Sequence, residues 1–119
     1  MTEQKPADHN DCPTFITISI LSNKWRMGII YSLSQSKDNL LRFKDFSELI
    51  AGISQAELTK QLKELECSGI VSRKVYAEVP VRVEYSLTKI GISLLDPIKS
   101  LYEWAVEYGD KIKKNRERK

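Results

Sequence analysis

The stretch "SQAELTKQLKELECSG", residues 54–69, carries the side chains with the most chemistry to offer. Placed at about 100° per residue, Leu58, Leu62 and Leu65 fall on one side, and Ala56, Lys60, Lys63 and Cys67 on the other. Gln55 and Thr59 sit near one edge of the outward arc, while Glu57 and Glu64 take the opposite flank. That outward set suits the edges of base pairs. Glutamine can bond adenine bidentately, serine and threonine accept several patterns, and the methyls of Ala56 and Thr59 can meet a thymine methyl. Ser54, Gln55, Ala56, Thr59, Lys60 and Lys63 are therefore candidate DNA contacts, with the lysines directed to phosphate or guanine. A helix N-terminus adds free N–H groups and a positive dipole end. The bland alternative is a solvated back, the usual role of lysines opposite an apolar stripe.

Fewer candidates lie elsewhere. Lys24 opens a predicted helix and suits a phosphate contact. Arg42 can pair with Asp45 or touch a nucleic-acid backbone. Arg73 and Lys74 are adjacent on a predicted strand, so they face opposite ways and at most one belongs to any such surface. Cys12 precedes Pro13 at a predicted helix start, where unpaired N–H groups lower a thiol pKa; an inert thiol is the rival reading. Cys67 reads as an incidental small residue, and Trp25 and Trp104 as core or interface residues. The single histidine, His9, gathers no metal ligands, and no metal or cofactor is expected. There is no glycine-rich phosphate loop, no H-E-x-x-H and no C-x-x-C, so no enzyme is expected either.

The elements that must position these residues follow from periodicity and punctuation. "PTFITISIL" is thick with apolar residues, and a strand competes there; a helix ending near Ser22-Asn23, with Asn23 in a left-handed cap, is preferred. A second helix spans 24–35, with Trp25, Ile29, Ile30 and Leu33 inward. "LLRF" suits a short strand before a helix over 44–50, with Phe46, Leu49 and Ile50 inward. Gly52 ends that helix and Ser54 starts the next, with Ser54 and Glu57 forming a capping box. Gly69 stops it. Two helices joined by a short glycine-containing turn make a helix-turn-helix. The alternating runs "VSRKVYA" and "VRVEYSL" around "EVP" make a hairpin. Thr88 caps a helical stretch to about Lys114, with a kink or break at Pro97. The fold class is mainly α with a small β-hairpin wing (α+β), a winged helix-turn-helix.

With 119 residues, the chain has room for one domain. The expected division is a loose arm over 1–11, the winged domain with flanking helices over 12–114, and a basic tail over 115–119. No run reaches the roughly 18–20 apolar residues of a membrane span, and no signal core begins the chain. Two cysteines are too few for a disulfide framework, which fits a reducing cytoplasm. Net charge is +3, yet from 40 to 87 seven basic residues face seven acidic ones. Affinity for DNA would then depend on placement, and a dimer would double the phosphate contacts.

"CP", "KW", "LRF", "GISQAELTKQLKELE", "EVPVRVEYSLT" and "EW" together resemble the HxlR-type winged helix-turn-helix regulators of bacteria, over about residues 12–104. The resemblance implies a cytoplasmic, dimeric transcription factor whose N- and C-terminal helices build the dimer. Some such proteins sense oxidants or electrophiles through an N-terminal cysteine, which strengthens the sensing reading of Cys12. It also implies a wing contact from Arg82 to phosphate or minor groove, against the alternative of a cross-strand pair with Glu78 or Glu84. Ser22-Asn23 departs from the family's usual glycine-rich pair, and the basic tail after Gly109 lies beyond the shared region. The expected function is a sequence-specific regulator, acting as a repressor, that binds a pseudo-palindromic double-stranded operator as a homodimer, with a small-molecule or oxidant effector. The alternative is a winged-helix module that binds protein without specific DNA binding.

Overall fold

The computed structural model describes residues 12–118, so the expected arm over 1–11 lies outside the described residues. In chain order the elements are α1 (Pro13–Leu21), α2 (Lys24–Gln35), a 3-10 turn (Lys37–Asn39), β1 (Leu40–Arg42), α3 (Phe43–Leu49) and α4 (Gln55–Cys67). They continue as β2 (Val71–Tyr76), β3 (Arg82–Leu87), α5 (Lys89–Ser93) and α6 (Leu95–Glu117). The architecture is mainly α with a winged helix-turn-helix at its centre, as the periodicity requires.

Three helices wrap one apolar core. Ile29, Ile30 and Leu33 of α2 meet Phe46 of α3 and Leu58, Leu62 and Leu65 of α4, all fully buried or nearly so. Tyr85 and Leu87 of β3 and Ile98 of α6 close the cluster. Each buried Leu or Ile side chain contributes roughly 1.5–3 kcal/mol, so the apolar stripe of α4 fixes the rotation of that helix about its axis. α3 is seated less deeply than expected: Phe46 and Ile50 are buried, but Leu49 is 58% exposed. In a seven-residue helix anchored through Phe46, Leu49 falls on the outer side.

The caps of α4 decide where it begins and ends. Ser54 Oγ accepts the Glu57 N–H at 3.0 Å. The reciprocal half of the expected capping box is not made, because the Glu57 carboxylate accepts from Gln61 Nε2 at 2.5 Å instead. At the other end Gly69 has φ +76°, its N–H reaches Glu66 O, and Ile70 N–H reaches Leu65 O. This is the double bond pattern of a Schellman stop, and it turns the chain directly into β2.

Other boundaries correct the expectations. Asn23 has φ −98° and is not a left-handed cap; it is the N-cap of α2, its side chain accepting from Trp25 N–H at 2.8 Å. The non-glycine residues with left-handed backbone, among the described residues, are Asp38 and Asn39, in the turn before β1. The sheet has three antiparallel strands in the order β1-β3-β2, so the short "LLR" strand flanks the hairpin on its inner side. The C-terminal helical stretch breaks at Leu94, three residues before Pro97. Proline has no N–H for the Ser93 carbonyl and clashes with it, so the break falls at the preceding turn. Thr88 caps α5 as expected, its Oγ1 accepting Gly91 N–H at 3.1 Å. α6 continues to Glu117, through most of the expected basic tail.

Candidate nucleic-acid interface

α4 presents its outer face to solvent. Ser54, Gln55, Ala56, Thr59, Lys60 and Lys63 are all exposed. Ser54 already accepts the capping hydrogen bond, so only its hydroxyl proton and a remaining lone pair face outward. Among the described residues, the side chains of Gln55, Thr59, Lys60 and Lys63 have no hydrogen-bond or ion-pair partner. They form one contiguous polar face on a helix whose opposite side is locked into the core.

The hairpin adds a cation to that face. Arg73 lines a groove with Thr59, Lys63, Glu66 and Tyr85. Arg73 lies opposite Tyr85 in the β2–β3 register, and cross-strand partners share a face. Tyr85 is buried, edge-on to Phe46 with ring centroids 6.1 Å apart. Arg73 therefore lies on the side of the sheet that meets α4. Lys74 faces the other way, its ammonium 5.0 Å from the Tyr76 ring centroid. Strand alternation alone limits this surface to one of the pair; the register shows which.

A second groove lies at the tip of the wing, where Arg42 and Lys44 face Glu78, Val79, Pro80 and Arg82. Arg82 is tightly held there. Its Nη2 donates to Glu78 Oε2 at 2.9 Å, its Nη1 makes a close ion pair with Glu84, and its guanidinium sits 3.7 Å from the Tyr76 ring centroid. The hydrogen bond from Arg82 holds the Glu78 carboxyl below the usual carboxylate range, and the same bond raises the Arg82 pKa. Arg42 meets Asp45 through its backbone: its N–H donates to Asp45 Oδ2 at 2.9 Å and caps α3.

Two expected site residues lie apart from both grooves. Lys24, exposed in the first turn of α2, holds its ammonium 4.6 Å from the Trp25 ring centroid. Cys12 is the N-cap of α1 and closes no formal capping hydrogen bond. The backbone N–H groups of Phe15 and Thr14 nevertheless draw its thiol below the ordinary thiol range. No group of His, Cys, Asp or Glu among the described residues could hold a metal ion. None of the described helices is long and apolar enough to cross a membrane.

Sequence reasoning passed over Gln61. It is 1% exposed, the one buried polar side chain among the described residues, and both ends of its amide are bonded. Its place beside Leu65 and Leu58 on the α4 wheel, at the edge of the leucine stripe, was the available signal.

Residues 20–113 match the family described as HxlR-like helix-turn-helix. An uncharacterized HTH-type transcriptional regulator of Halalkalibacterium halodurans is 44% identical over 97 residues, covering 82% of this chain and 84% of that one. The uncharacterized HTH-type transcriptional regulator YdeP of Bacillus subtilis is 40% identical over 107 residues, covering 90% and 81%. Among solved structures, the redox regulator HypR in its reduced form superposes with a TM-score of 0.78 at 36% identity, over 87% of this chain and 99% of that one.

Proposed function

The chain belongs to the HxlR-like helix-turn-helix family, and from that premise we propose that it regulates transcription by binding a pseudo-palindromic operator as a homodimer. It is a DNA-binding protein of the winged-helix class and not an enzyme. The observation that carries the reading is the unpartnered outer face of α4, extended by Arg73. In the bound state the N-terminal turns of α4 lie in the major groove. Gln55 and Thr59 meet base edges, with Ser54 and Ala56 beside them, and Lys60, Lys63 and Arg73 meet phosphate. Lys24 remains a proposed phosphate contact at the edge. Arg82 first orders the wing through Glu78 and Glu84, and its DNA contact requires it to exchange one of these carboxylates for a phosphate.

Dimerisation rests on uncovered apolar surface. α1 has no buried residue, with Ile16 and Ile18 about half exposed, and α6 exposes Leu101, Tyr102 and Trp104. Exposed apolar surface of this extent marks association. Two copies docked through α1 and α6 would hold their α4 helices about one helical turn of DNA apart. The protein acts in the cytoplasm as a repressor, by occupying promoter DNA. Its signal is an oxidant or electrophile meeting the Cys12 thiolate. The N–H groups around that sulfur and the likeness to HypR, described as a redox regulator, support this.

The test is in vitro selection of duplexes from a random pool, followed by gel shifts at two salt concentrations. Gln55→Ala and Thr59→Ala should relax base preference, each losing about 1–3 kcal/mol of discrimination. Lys63→Ala should weaken all duplexes alike and reduce the salt slope by about one unit. Failure to select any duplex, with binding indifferent to salt, would favour a protein-docking module instead.

A further inference from the structure

Gln61 is an amide buried in an apolar helix–helix contact, and burying an amide is costly unless both of its ends are bonded. Its Oε1 accepts from Arg26 Nε of α2 at 2.6 Å, and its Nε2 donates to Glu57 Oε2 at 2.5 Å. Arg26 makes a second bond: its Nη1 donates to the carbonyl of Ser19. Ser19 lies in the last turn of α1, where carbonyls have no partner within the helix. One guanidinium therefore fills an orphan acceptor on α1 while gripping the buried amide of α4.

The resulting chain runs from Ser19 O through Arg26 and Gln61 to Glu57, and it joins three helices. It ends in the first turn of α4, between Ala56 and Leu58, where Glu57 has left its capping role to take part. Each bond in the series polarises the next. The fork of Arg26 is essential, because a lysine cannot reach the two helices with two fixed donors.

We infer that Arg26 and Gln61 are positioning residues for α4, and that through them the C-terminal turn of α1 sets the orientation of its first turn. The inference rests on the reading of α4 as the DNA-contacting helix, but the link between the helices stands apart from any ligand. α1 has no buried residue, and it meets the core through Ile20 and Leu21 in the same last turn that carries Ser19. When α1 shifts, the Ser19 carbonyl leaves Arg26, and the loss passes to Gln61 and Glu57.

Amide hydrogen exchange of the whole chain, resolved by residue, tests this. Arg26→Lys should speed exchange at both ends, at Ser22 N–H in α1 and at Glu57 and Leu58 N–H in α4, by at least about tenfold. The core amides of Ile30 and Leu62 should hold their wild-type rates. Gln61→Glu keeps a partner for Arg26 but repels Glu57, so it should loosen the α4 end and leave Ser22 unchanged. If Arg26→Lys loosens α1 alone, or all helices uniformly, the inference is overturned. A second reading uses a duplex selected from a random pool by the wild-type protein. Arg26→Lys should lower affinity for that duplex about tenfold more than for mixed-sequence DNA; an equal loss on both would overturn the positioning role. If the wild-type protein selects no duplex, the DNA reading has failed, and the exchange pattern alone decides the link.

Discussion

Replacing Gly91 by alanine should strike the root of the wing. Gly91 is buried in α5, and a Cβ there would lie 2.3 Å from the Ile70 carbonyl oxygen and 3.0 Å from Leu87 Cδ2. The leucine methyl can give way, but the carbonyl cannot. Ile70 O accepts Thr88 N–H at 3.0 Å and Thr88 Oγ1 at 3.1 Å, and Ile70 N–H is tied to Leu65 O in the stop of α4. An ordinary carbon–oxygen contact is about 3.3 Å or more, so α5 must retreat by roughly 1 Å. Overpacking of this kind costs about 1–3 kcal/mol, and a rigid backbone neighbour places the site at the upper end. The better helix propensity of alanine returns about 1 kcal/mol. The net expectation is a loss of about 2 kcal/mol, or roughly 6–12 °C in Tm for a chain of this size. Gly28→Ala is the matched control. Its Cβ would meet Ile50 Cδ1 at 3.6 Å, an ordinary contact in the middle of α2, so the same substitution should raise Tm by about 3–6 °C. Circular dichroism melts at one fixed protein concentration read both. A Gly91→Ala protein melting at or above the wild type, or two variants shifting in the same direction, would refute the steric argument.

Two titrations follow from the electrostatics. Cys12 should react with iodoacetamide with a midpoint below the ordinary thiol value of about 8.5. A folded pKa below the unfolded one gives stability that is present above the unfolded value and lost as pH falls through the folded one, so the N-terminus of α1 should loosen in that window; a midpoint at the ordinary value would remove the basis for thiolate sensing. Glu78 should titrate below the ordinary glutamate value of about 4.3, because Arg82 donates to it. Its contribution to the wing is present above that value and lost as pH falls through the lowered folded pKa. Carboxyl carbon shifts from NMR read this directly, Arg82→Ala should restore the ordinary midpoint, and an ordinary midpoint in the wild type would contradict the pairing.

Much of the centre of the molecule was legible because local signals there agree. Ser54, Gly69 and the leucine stripe give the bounds and rotation of α4, and the alternating runs give the hairpin. These depend on neighbours within a few residues. What was hidden depends on partners far away in sequence. The diversion of Glu57 from its capping box requires Gln61 to be held by Arg26, thirty-five residues away. Sequence does not say which of two adjacent helices a capping residue serves, and Asn23, expected to end α1, starts α2 instead. The wing cations were separable only by register: Arg73 lies beside α4 because Tyr85, opposite it, points into the core. Glu78 and Glu84 are alternative partners for Arg82 in the sequence, and the structure pairs it with both.

Among the described residues, the strand order β1-β3-β2 leaves β2 with one side unpaired. An open strand edge is a template on which a second chain can add and begin an aggregate, and charged side chains on such an edge discourage it. β2 carries Arg73 and Lys74 side by side at its middle, both exposed, so successive residues put a positive charge on each face of the strand. A regulator spends part of its life off DNA, with this edge uncovered. The same arginine that extends the α4 face thus also protects the free molecule from its own kind. Under the proposed phosphate contact, a substitution at Arg73 would change solubility as well as DNA affinity, and no binding assay would register the first.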